Sequence, residues 1–86
     1  MKLQEGFVLK ELAGECVVVP ASAALDLDGM ITLNETAKTL WLALEKGAEA
    51  EELVAALINE YEVGESLARS AVDAFLARLR ELDLLA

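Results

Sequence analysis

Met30-Ile-Thr-Leu-Asn-Glu-Thr-Ala37 decides how this chain folds, because it reads as a strand that runs directly into a helix, with Trp41 one turn further on. The β-branched Ile31 and Thr32 suit an extended backbone, and the Asp28-Gly29 pair before them favours the positive-φ conformations of a tight hairpin. Asn34 is placed to cap the following helix: its side-chain oxygen can accept a backbone N–H that the first turn leaves without a partner. Glu35 adds negative charge at the positive end of the helix dipole. A strand is therefore expected over 30–33 and a helix from 35.

Towards the N-terminus, Phe7-Val-Leu-Lys-Glu-Leu12 and Glu15-Cys-Val-Val-Val-Pro20 flank Ala13-Gly14 and form a short antiparallel hairpin. Pro20 has no N–H to give to a ladder and ends the second strand. Residues 21–27 cross to the Asp28-Gly29 turn, with Ala24 to Leu27 in place to pair locally with the third strand. Towards the C-terminus, Ala37, Leu40, Trp41 and Leu44 share one helical face and Gly47 serves as a stop, which gives a first helix over about 35–46. Glu49, Glu51 and Glu52 open a second helix, about 49–62, that buries Leu53, Ala56, Leu57 and Tyr61 and ends before Gly64. A third follows over about 65–82, and only Met1 to Gly6 and Leu84 to Ala86 are expected to be ragged. A three-stranded antiparallel sheet followed by three helices is an α+β domain of the winged helix-turn-helix-like kind, and one such domain accounts for residues 1–86.

Composition narrows the function. Hydrophobic residues make up 56% of the chain and charged residues 27%, enough apolar surface to offset the ordering entropy of one core. Every hydrophobic segment is interrupted by charge and the N-terminus lacks the pattern of a signal peptide, so no membrane association is expected and the cytoplasm is the expected location. The formal charge of −9, from 16 acidic and 7 basic residues, repels a phosphate backbone and argues against nucleic acid as a partner. Histidine is absent and Cys16 is the single cysteine, which removes the usual nucleophilic and metal-binding chemistry. Neither catalytic residues nor a cofactor or metal are expected; Cys16, in a valine-rich strand, reads as structural, and Trp41 as a core anchor. Glu65-Ser66-Leu67 resembles the Asp-Ser-Leu attachment site of acyl carrier proteins only faintly, since that serine opens a mid-chain helix and this one opens the last.

Two features point to binding. At about 100° per residue, Leu67, Ala68, Ala71, Val72, Ala74, Phe75, Leu76, Leu79 and Leu82 spread over about half the circumference of the third helix, wider than one core contact needs. Arg69, Asp73 and Arg80 lie towards the opposite face, while Arg78 interrupts one edge of the arc and leaves beside it a strip that can stay both exposed and apolar. The third strand is the second feature: as the last strand of a meander it is an edge, and Met30, Ile31, Thr32 and Leu33 carry neither charge nor proline to discourage an added strand.

Phe7-Val-Leu-Lys-Glu, Val17-Val-Val-Pro20, Ile31-Thr-Leu-Asn-Glu-Thr-Ala37 with Leu40-Trp41, the second helix to Tyr61, and Phe75-Leu-Ala-Arg-Leu-Arg-Glu-Leu together resemble the PqqD-like family over nearly the whole chain. Ala37 stands where that family leads us to expect glycine. The resemblance implies a non-catalytic recognition module that binds the leader region of a ribosomally made precursor peptide and presents the core to a modifying enzyme, often a radical S-adenosylmethionine enzyme. It implies that the leader adds as a strand along Met30, Ile31, Thr32 and Leu33, with Val72 and Leu76 as groove floor and Arg69 and Arg80 as clamps for a leader carboxylate. The alternatives are an acidic winged-helix transcriptional regulator, which the scattered Arg69, Arg78 and Arg80 disfavour, and a homodimeric accessory subunit that uses the same edge strand.

Overall fold

A computed structural model describes residues 1–20 and 31–86. Three strands, β1 (Phe7–Leu12), β2 (Glu15–Pro20) and β3 (Ile31–Leu33), precede three helices, α1 (Glu35–Glu45), α2 (Ala50–Tyr61) and α3 (Glu65–Glu81). The strands form one antiparallel sheet in the order β1-β2-β3. Strand and helix bounds follow the sequence reading to within a residue; Met30 and the segment read as a crossing and an Asp28-Gly29 turn lie outside the described residues.

Ala13 and Gly14 both take positive φ, 52° and 82°, while Leu12 pairs with Glu15, so the hairpin closes through a two-residue turn whose backbone twist matches that of its strands. Val18 pairs with Leu9 on one side and Ile31 on the other, and Cys16 with Leu33, so these side chains share the face turned to the helices. Asn34 caps α1 as its sequence position suggests: its Oδ1 accepts from the Ala37 N–H at 2.8 Å and from the Thr36 hydroxyl at 2.9 Å. At the start of α2 the Glu49 N–H donates to the Glu52 carboxylate at 3.1 Å.

α2 stops before Gly64, as the sequence reading has it. Glu62 takes the left-handed conformation that ends the helix, and Gly64 forms the N-cap of α3. One residue before Glu62, the Tyr61 hydroxyl donates to the Glu35 carbonyl at 3.0 Å and lies 2.8 Å from the Thr39 hydroxyl, which ties the end of α2 to the start of α1.

The core lies between the sheet and the helices. Val18 and Leu33 meet Leu40, Trp41 and Leu44 of α1, Leu53, Val54 and Leu57 of α2, and Ala68, Val72, Phe75, Leu76 and Leu79 of α3. The ends of the chain, expected to be ragged, are paired with each other: Leu3 bridges Leu85, the Gln4 N–H donates to Leu84 O at 2.7 Å, and the Ala86 N–H donates to Lys2 O at 2.9 Å. Apolar burial accounts for the difference, since Leu84 is buried in the main core and Leu3 and Leu85 pack against it.

Candidate peptide-binding groove

Among the described residues β3 is an edge of the sheet, and its short run reaches straight into α1 through the Asn34 cap, so the start of α1 is fixed beside the strand. α3 crosses close to the same strand. Between them lies an open groove of about 370 Å³. Ile31, Thr32 and Leu33 form its strand side, Asn34, Thr36, Ala37 and Leu40 its head, and Ala71, Ala74, Phe75, Arg78, Leu79 and Leu82 its helix side. Leu33, Leu40, Phe75 and Leu79 are buried and make an apolar floor continuous with the core. Ala74, Arg78 and Leu82 are exposed, Leu82 at 43%, and form the rim. The helix-side residues recur at spacings of three and four, so a single stripe of α3 faces the groove.

The residues singled out in the sequence separate accordingly. Ile31, Thr32 and Leu33 line the groove. Val72 and Leu76, expected as its floor, are instead at 0% and 4% exposure inside the core and do not line it. Arg69 and Arg80, expected as clamps, are not among the lining residues either. At about 100° per residue they sit roughly 160° and 180° around α3 from Ala71, on the far side of the helix. Arg69 is occupied there: its guanidinium donates to both Glu51 carboxylate oxygens at 2.9 and 3.1 Å and to Glu65 at 3.1 Å. Hydrogen bonding and charge from Arg69 hold the Glu51 carboxyl below its ordinary value, and the two glutamates, Glu51 first, push the guanidinium above its own.

Little elsewhere suggests reaction chemistry. Cys16, half-buried, lies 3.9 Å from a Glu11 carboxylate oxygen that also accepts from Lys38 Nζ at 3.2 Å, and that bond raises the Lys38 ammonium above its ordinary value. Among the described residues no group of three or more His, Cys, Asp and Glu side chains gathers to hold a metal ion. No described helix is long and apolar enough to cross a membrane.

Residues 21–85 match the family described as coenzyme PQQ synthesis protein D (PqqD). The chain belongs to the PqqD family. Two solved structures share its fold nearly end to end. One, TbiB1 in complex with the TbiA(beta) leader peptide, superposes with a TM-score of 0.77 at 27% identity, covering 99% of this chain and 94% of that one. The other, a lasso peptide synthetase B1 complexed with the leader peptide, gives a TM-score of 0.74 at 21% identity over 96% of this chain and 93% of that one. No curated protein sequence matches the chain. Within a PqqD-family fold, the groove between β3 and α3 sets a strand that is the sheet's edge among the described residues beside an apolar trough.

Proposed function

We propose that this PqqD-family domain binds the leader region of a ribosomally synthesised precursor peptide, in the cytoplasm, and presents the core to a separate modifying enzyme. The observation that carries the reading is the groove itself: Ile31–Leu33, an edge strand among the described residues, borders an apolar floor of Leu33, Leu40, Phe75 and Leu79. An extended peptide adds its main chain to such an edge and turns alternate side chains into the trough, so hydrogen bonds supply much of the affinity and the trough supplies selection. The family membership and the leader complexes of the two similar structures support the same occupant.

The peptide-contacting set proposed here is Ile31, Thr32, Leu33, Ala71, Ala74, Phe75, Arg78 and Leu82, in place of Val72, Leu76, Arg69 and Arg80. Met30, next to Ile31 in the sequence, extends the strand side of the proposal. No group in the groove is asked to react. Ordering a flexible leader costs entropy, which the main-chain bonds and buried anchors must exceed, and micromolar or tighter binding is consistent with that balance. Tethering then raises the effective concentration of the core at the enzyme. A radical S-adenosylmethionine enzyme is the partner that the resemblance implies.

Calorimetric titration with the leader peptides of precursors encoded beside this protein tests the reading. Ala74→Trp puts a large side chain on the exposed rim without entering the core, so it is expected to weaken binding by more than about tenfold with unchanged folding. Equal affinity for wild type and Ala74→Trp overturns the groove assignment, and no binding to any such leader overturns the function.

A further inference from the structure

Among the described residues, Arg78 is the one charged residue lining the groove. It stands on the exposed rim of α3, one turn from both Ala74 and Leu82 and three residues beyond Phe75 of the floor. On the same helix Arg69 is held by two glutamates, whereas no ion pair among the described residues holds Arg78. A guanidinium beside an apolar trough is a poor neighbour for a purely apolar strand and a good one for a carboxylate, which it can take through two parallel hydrogen bonds. Partial exclusion of water by a bound strand strengthens that pairing relative to an exposed ion pair.

Resting on the leader-binding reading above, we propose that Arg78 is a specificity-determining residue: it pairs with a single Asp or Glu carried by the bound strand next to the apolar side chain seated over Phe75. The rest of the molecule limits how acidic that strand can be. A protein of formal charge −9 repels an acidic tract, so the selection is for one positioned acid among apolar and neutral residues, not for negative charge in general. Val72 and the far-side Arg69 take no part in this choice.

Selection of a displayed library of randomised linear peptides against the intact protein and its Arg78→Gln and Arg78→Glu variants tests the proposal. Both substitutions are at an exposed helix position and use good helix formers, so the fold is kept. Wild-type binders are expected to share an Asp or Glu at a fixed spacing from an apolar anchor. Arg78→Gln is expected to lose that preference while keeping the anchor, and to bind a selected wild-type peptide about three- to tenfold more weakly, with the gap narrowing as salt rises. Arg78→Glu is expected to select Lys or Arg at the same spacing. Wild-type binders with an apolar anchor and no fixed acid, or the same acid enriched equally on Arg78→Gln, overturn the role of Arg78 and leave leader binding standing. Binders indifferent to Ala74→Trp, or no binders, overturn both.

Discussion

Trp41 shows how much of this small protein rests on single side chains. It is 1% exposed at the centre of the core, yet among the described residues its Nε1–H has no hydrogen-bond partner. Two opposing contributions follow: the indole fills volume that no smaller residue can, and a buried donor without a partner costs about 1–3 kcal/mol. Trp41→Ala is expected to lose about 3–5 kcal/mol, enough to unfold much of a domain this size. Trp41→Phe removes the orphaned N–H along with part of the ring, and chemical denaturation is expected to find it less stable than wild type by at most about 1.5 kcal/mol. A loss as large as that of Trp41→Ala shows instead that the indole N–H is satisfied in solution. Ala37 is the other telling residue. It lines the groove beside Leu40, so its methyl, where the family resemblance leads one to expect glycine, takes up space at the head of the groove.

At the scale of elements, the hairpin is closed by an alanine in a conformation that suits glycine or asparagine. Ala13 has a φ of 52°, which costs a residue with a Cβ roughly 1 kcal/mol. Ala13→Asn gives the turn the Asn-Gly pair it favours and is expected to raise stability by about 0.5–1 kcal/mol, read from the denaturation midpoint at unchanged slope. An unchanged or lower midpoint contradicts the turn geometry. The ion pair between α2 and α3 makes a different prediction, about pH. Glu51 has a folded-state pKa below its unfolded value, so its contribution to stability is complete above the ordinary carboxylate range and is lost as pH falls through the depressed folded value. Arg69→Gln abolishes the depression. The variant is therefore expected to lose less stability than wild type on acidification below about pH 4.5 and to match its pH profile above pH 6, while its peptide affinity is unchanged because Arg69 lies on the far side of α3. Weaker peptide binding in Arg69→Gln places part of the site on that face.

For the whole molecule, hydrophobic period and turn chemistry were sufficient for element order and bounds. The Ala13-Gly14 turn between β1 and β2, the Asn34 cap and the three-to-four spacing of α1 and α3 are local signals, and each survives in the fold. What escaped them depends on contacts remote in sequence. Leu84 and Leu85 look like a loose end until Leu3 is brought beside them. The groove was half visible. The edge strand and an exposed strip beside Arg78 can both be read from the sequence, but a helical wheel gives angles without saying which angle faces β3, and so Val72 and Leu76 were assigned to the groove when they belong to the core. The stripe at 71, 74, 75, 78, 79 and 82 carried the missing signal: it is the edge of the arc where small residues and an arginine interrupt large apolar ones, as a rim requires.

The central claim is that a peptide strand lies along β3 with side chains turned towards that stripe of α3. Amide-resolved NMR during titration with a leader peptide tests it most directly. The account predicts that the largest shifts fall on Ile31, Thr32 and Leu33 together with Ala71, Ala74, Phe75, Arg78 and Leu82, and that Arg69, Arg80 and the β1 amides stay near their free positions. Shifts centred on the Arg69 and Arg80 face of α3 or on β1, with β3 unmoved, contradict it.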